Sequence, residues 1–138
     1  MQAEYGRRYG GDGDVAPIDV HQFDPPGGHF VMIYVDEVPA AMGGWRRGGP
    51  AGQSDAEIKR MFVRPAFARQ GLARQILAEL ETTAAAAGAT RLVLETGTAQ
   101  PEAIALYTSA GYESIPKFGF YADYDDSVHL AKVIAARE

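Results

Sequence analysis

The chain contains no cysteine, which removes a disulfide framework, a thiolate zinc site and a cysteine-bound acyl intermediate together. A basic excess is missing as well. Lys and Arg number 13 against 18 Asp and Glu, a formal net charge of −5, and a general nucleic-acid binder needs a basic face to displace counterions. No stretch approaches the roughly 20 apolar residues of a membrane span, and Met1 to Gly13 holds charge and glycine where a secretory leader needs an apolar core. The expectation is a soluble, cytoplasmic protein with no membrane partner. His21, His29 and His129 are scattered without ligand spacing, so no metal is expected. There is no glycine-flanked serine elbow, no Gly-Lys-Ser/Thr ending of a nucleotide loop and no internal repeat. At 138 residues, 46% hydrophobic, the chain is long enough to bury its own core as a single domain, residues 1–138.

What is present centres on Glu57 to Gly88. Glu57-Ile-Lys-Arg-Met-Phe-Val63 reads as a strand, with Ile58, Arg60 and Phe62 on one face and Glu57, Lys59, Met61 and Val63 on the other. Pro65 stops the ladder. After Gly71, the apolar Leu72, Ile76, Leu77 and Leu80 recur at helical spacing, and Gly88 follows an alanine run as a natural helix terminator. The loop Ala68 to Gly71 therefore hands its amides to a helix N-terminus, where unpaired N–H groups and the macrodipole favour an anion. Small residues at Gly71 and Ala73 let a phosphate approach, and Arg69 and Arg74 can add charge-assisted contacts. Spacing alone is equally that of an ordinary strand-to-helix connection.

Around this stretch, Phe30 to Val35 and Val38 to Trp45 read as a hairpin closed by Asp36-Glu37, and with the Glu57 strand they make a three-strand meander. Thr90 to Glu95 reads as a strand parallel to the Glu57 strand across a right-handed crossover. Pro101 and Gly111 bracket a helix from about Gln100 to Ala110, with Ile104 and Tyr107 on one face. Tyr112 to Pro116 and Ser127 to Ile134 read as a closing hairpin around an aromatic and acidic loop, Lys117 to Asp126, a candidate wall for an acceptor pocket.

Two segments carry a resemblance. Val63-Arg-Pro65 followed by Arg69-Gln-Gly-Leu-Ala73 opening a helix is similar to motif A of the GNAT superfamily of acyl-CoA-dependent N-acetyltransferases, written Q/R-x-x-G-x-G/A. Gln100-Pro-Glu-Ala-Ile-Ala-Leu-Tyr107-Thr-Ser-Ala-Gly111-Tyr112 is similar to its motif B. The first motif-A position falls on Ala68, so any side-chain contact there passes to Arg69 or Gln70. The resemblance implies an α/β (α+β) fold with a mixed, mostly antiparallel sheet, a central parallel strand pair that splays apart, and flanking helices. It implies acetyl-CoA as co-substrate, held by Arg69, Gln70, Gly71, Leu72, Ala73 and Arg74, with the pantetheine arm pairing to Met61, Phe62 and Val63 and Gln100 near the cofactor. Tyr107 stands where the family's tyrosine protonates the departing sulfur, and Glu57 or Glu95 is the candidate base. The activity implied is direct acetyl transfer to a primary amine of a small molecule or protein. The alternative is a catalytically silent acyl-CoA-binding or regulatory module. The family's first strand has no counterpart before Ala3, and the sheet edge this leaves would suit a second copy of the chain as a homodimer.

Overall fold

Asp36 and Glu37 both adopt positive φ, 52° and 69°, the left-handed pair that matches the twist of two flanking strands. They close Gly28–Val35 (β1) and Val38–Arg47 (β2) into an antiparallel hairpin. A computed structural model describes residues 23–97, 101–119 and 125–134. β2 pairs antiparallel with Asp55–Val63 (β3), and helix α1, Leu72–Ala86, carries the chain over to Arg91–Gly97 (β4), parallel to β3. Helix α2, Pro101–Ser109, precedes the short Glu113–Ser114 (β5), and Ser127–Val133 (β6) inserts antiparallel between β4 and β5. The described strands form one sheet in the order β1-β2-β3-β4-β6-β5, the mixed and mostly antiparallel architecture expected. The missing first strand concerns residues 1–22, which lie outside the described residues.

One face of the sheet carries the main core. Leu72, Ile76, Leu77, Leu80 and Ala84 of α1 pack with Val31, Ile33, Trp45, Ile58, Leu92, Leu94 and Leu130, and α2 joins through Tyr107 with Ala103 and Leu106 beside it. Ile104, one turn before Tyr107, is half-buried. Trp45 is a core residue whose indole N–H donates to Thr83 Oγ1 at 2.9 Å. Phe23, Phe30 and Met32 form a smaller cluster on the other face, with Tyr34 and Met42 against it.

The simple alternation expected for β3 is corrected. Met42 pairs with Phe62 but Gly44 pairs with Lys59, so Arg60 and Met61 together oppose Gly43. This is a β-bulge, and Arg60 takes φ of 64° to make it. The bulge resets the pleat: Ile58 faces the core, Arg60 leaves the pattern, and Met61 and Val63 face the core again while Phe62 faces away. Gly43 makes room for it. A Cβ there would lie 2.6 Å from Met61 Sδ and 2.7 Å from Ile76 Cγ2. The strand expected over Tyr112 to Pro116 shrinks to β5, because Pro116 has no N–H to donate and the ladder ends where Ile115 N–H reaches His129 O at 3.0 Å. No described helix is long and apolar enough to cross a membrane.

Candidate active site

The parallel pair is short by construction. β3 and β4 hold register only at Asp55↔Arg91, Ala56↔Leu92 and Glu57↔Val93, although β3 runs on to Val63 and β4 to Gly97. Beyond Glu57 the strands part, and the β4-facing edge of Met61, Phe62 and Val63 has no ladder partner among the described strands. The closed base of this V is fixed by the fully buried Asp55. Its carboxylate receives Arg91 Nε at 2.8 Å and Nη2 at 3.0 Å, and the Ala51 N–H at 2.7 Å. Burial works to raise its pKa, but these bonds and the Arg91 charge outweigh it and hold the carboxyl below its ordinary range.

At the open end of β3 the chain turns through a short 3₁₀ segment, Pro65–Phe67, and reaches α1 through Arg69 (φ 67°) and Gly71 (φ 78°). Gly71 N-caps a 15-residue helix that has no side-chain cap and no acidic residue in its first turn. The N–H groups at Gly71 to Arg74 have no intrahelical partner, so this end of α1 presents unneutralised donors to solvent. Arg69 and Gln70 are exposed on the loop, and Leu72 contributes only backbone because its side chain is in the core. Arg74 is exposed and has a protein partner as well. Its Nη2 donates to Ser109 Oγ at 2.7 Å and so ties α1 to α2.

Tyr107 is 5% exposed, its ring edge-on to Tyr112 at 5.7 Å between centroids. Burial pushes its phenol up to about 12, so it is protonated at neutral pH and has a proton to donate. Behind it, Tyr112 donates to Glu81 Oε2 at 2.9 Å, and Lys132 Nζ lies 3.3 Å from both Glu81 oxygens and 5.8 Å over the Tyr112 ring. Burial first, and then the Glu81 charge, raise the Tyr112 phenol strongly. This clamp from α1, β6 and Tyr112, which immediately precedes β5, fixes the wall against which Tyr107 packs. Spacing gave no sign of it, since its members are 31 and 51 residues apart.

The two candidate carboxylates share the face turned away from α1. Glu57 sits on the last rung of the parallel pair, 9% exposed, with Arg46 Nη2 at 2.9 Å and Lys59 Nζ at 3.9 Å. Arg91 is taken by Asp55. Glu95 lies past the divergence, directly across from His129 on β6.

His129, which the sequence marks only by its lack of metal spacing, lies across from Glu95. It is 3% exposed and accepts the Phe118 N–H at Nδ1, 3.3 Å. A ring nitrogen that accepts carries no proton, so Nε2 holds the proton and donates to Ser127 Oγ at 3.0 Å. Alternation along Ser127-Val-His-Leu-Ala131 placed His129 with Ser127 opposite the core residue Leu130, and that was the available signal. Of the expected acceptor loop, Phe118 packs edge-on against His129 at 4.8 Å, while residues 120–124, and Gln100, lie outside the described residues. Among the described residues, no three His, Asp or Glu side chains group as metal ligands.

Comparison with known proteins adds the following. Residues 2–112 match the model of the Acetyltransferase (GNAT) family. Over 76 residues the chain is 40% identical to an IAA acetyltransferase of Azospirillum brasilense, 55% of this chain and 50% of the relative, so it spans about half the length of that curated relative. A Klebsiella pneumoniae structure assigned as an acyl-CoA N-acyltransferase superposes with a TM-score of 0.74 at 30% identity, over 85% of this chain and 79% of the other. The PaiA N-acetyltransferase of Thermoplasma acidophilum, crystallised with coenzyme A, matches in fold alone, with a TM-score of 0.68 at 14% identity over 83% of this chain and 65% of the other.

Proposed function

The chain belongs to the acetyltransferase (GNAT) family, and from that premise we propose that it moves an acetyl group from acetyl-CoA to a primary amine by direct transfer in a ternary complex. The observation that carries this reading is the V between β3 and β4 ending beside an uncapped helix N-terminus. The pyrophosphate takes the Gly71 to Arg74 amides, with Arg69 and Gln70 in reach. The pantetheine arm runs along Met61, Phe62 and Val63 as an added strand. The amine nitrogen then forms its bond to the thioester carbonyl carbon, and the C–S bond breaks with its electron pair on sulfur. Tyr107 donates to that sulfur, and the amine proton leaves through water to a carboxylate. Glu57, which pairs with Arg46 and Lys59, and Glu95 on the neighbouring strand are the candidates for that role.

Calorimetric titration with acetyl-CoA, followed by free-thiol release across an amine panel, tests the reading. Micromolar binding with amine-dependent release supports it. Binding without release on any amine leaves a silent acyl-CoA module of the same fold, and absence of binding overturns the account of the loop.

The loop has its own expected outcome. No atom lies within 4 Å of a Cβ built on Gly71, so Gly71→Asp meets no neighbour and its cost is the strain of a side chain on left-handed backbone. Its carboxylate occupies the anion position, and repulsion at partly screened contact weakens acetyl-CoA by about 10- to 100-fold. A calorimetric Kd, with an unchanged circular dichroism spectrum as control, measures it; unaltered affinity would place the pyrophosphate elsewhere.

A further inference from the structure

On the face turned away from α1, one apolar row crosses three strands. Met32, Met42 and Phe62 are successive cross-strand partners on β1, β2 and β3. Met32 is buried, Met42 half-buried, and Phe62 is 51% exposed despite its size. The row therefore runs from the small core cluster out to the strand that borders the V. An open groove of about 450 Å³ follows it, lined among others by Pro39, Met42, Arg60, Met61, Phe62 and Arg64.

Its charge is one-sided. Arg60 and Arg64 stand two residues to either side of Phe62, and none of the groove's lining residues is acidic, in a chain whose net charge is −5. Arg60 has further contacts of its own. Arg64 is exposed and reaches Pro39 O only at 3.5 Å, a long contact that a carboxylate would displace. Methionine thioethers beside a phenyl ring form an adaptable apolar surface for a flat ring, and a guanidinium at its rim takes a carboxylate through paired hydrogen bonds. Met61, in the bulge, lines this groove and also belongs to the β3 edge along which the acyl arm is proposed to run. Phe62 belongs to the same edge, so an acceptor lying on it is placed beside that arm.

We propose that the amine acceptor is a small molecule with an apolar body and a carboxylate, the chemistry of a free aromatic amino acid, bound in this groove with its carboxylate on Arg64. This rests on the acetyl-transfer reading and narrows it; the bond changes are those given above.

The test compares acetyl-CoA-dependent thiol release with phenylalanine, phenylalaninamide and spermidine, and calorimetric binding of N-acetylphenylalanine and its amide, in the wild type, Arg64→Gln and Phe62→Ser. Expected is a kcat/KM at least about 10-fold higher for phenylalanine than for phenylalaninamide. Arg64→Gln raises KM for phenylalanine about 10-fold with kcat kept and leaves phenylalaninamide unchanged. Phe62→Ser weakens both aromatic ligands. Equal rates with the amide, a preference for spermidine, or an Arg64→Gln variant that treats all three acceptors as the wild type does would overturn the proposal. If no amine releases thiol, the transfer reading fails while the groove is still decided: N-acetylphenylalanine binding that Arg64→Gln weakens upholds the site, and no binding removes it.

Discussion

Tyr107→Phe is expected to lower turnover by about 100-fold, with acetyl-CoA binding kept. General acid catalysis contributes typically 10²–10⁴-fold, and the low end applies here for a reason of matching. A phenol pushed up to about 12 is a weaker acid than a thiol with an ordinary pKa near 8.5, so it stabilises the departing thiolate by a charge-assisted hydrogen bond rather than by completed proton transfer. The substitution keeps the ring and its edge contact with Tyr112, which holds the wall of the cleft in place and isolates the loss of one O–H. Because Tyr107 remains protonated through any practical assay range, it adds no basic limb to the pH–rate profile below about pH 11. Single-turnover thiol release beside a calorimetric Kd measures both halves. Unchanged turnover would leave Tyr107 as a packing residue, and a parallel loss of binding would mean that the hydroxyl supports the cofactor rather than the chemistry.

The elements themselves were legible because their signals are local. The Leu72 to Leu80 periodicity, the Asp36-Glu37 turn and Pro101 each act within a few residues, and each element formed where its signal stood. Expectation and structure separate where the deciding contact is distant. Nothing within Glu57 to Val63 announces a bulge, since what admits it is Gly43, one strand away, leaving room for Met61 against Ile76. The same holds in the candidate site. Arg74 was legible as a charge near an anion loop, but its partner Ser109 comes from another helix. His129 takes its tautomer from a backbone amide at Phe118, and a backbone amide leaves no mark on residue identity. Glu57 was legible as a carboxylate at the right height in the strand, while its main partner Arg46 sits on the neighbouring strand through the β2–β3 register. Motif-level reading thus located the divergence of β3 and β4 and the uncapped start of α1, and missed the polar contacts around them.

Asp55, absent from the motifs, is expected to carry the largest stability effect. It stands at the closed base of the V, paired in register with Arg91, and its fully buried carboxylate answers both the guanidinium and the Ala51 amide. Removing one member of such a pair strands the other, which costs about 3–5 kcal/mol when both are buried. Arg91 is 26% exposed and recovers some hydration, so Asp55→Ala is placed at about 3 kcal/mol, or roughly 10 °C in Tm. The sign of the pH dependence follows from the depressed carboxyl. Its stabilisation is complete above the ordinary aspartate pKa near 3.9 and is lost as pH falls through the lower folded value. Asp55→Asn, which resembles the protonated side chain, should therefore differ from wild type by the full amount at pH 7 and converge on it as the pH drops below about 4. Thermal melts from pH 7 down to pH 3 measure this. A constant gap would assign the loss to packing rather than charge. The same substitution bears on function, because the rungs Asp55↔Arg91 to Glu57↔Val93 are all that hold β3 and β4 together before they part. If the V owes its width to that staple, Asp55→Asn should raise the KM for acetyl-CoA at temperatures where the variant is still fully folded.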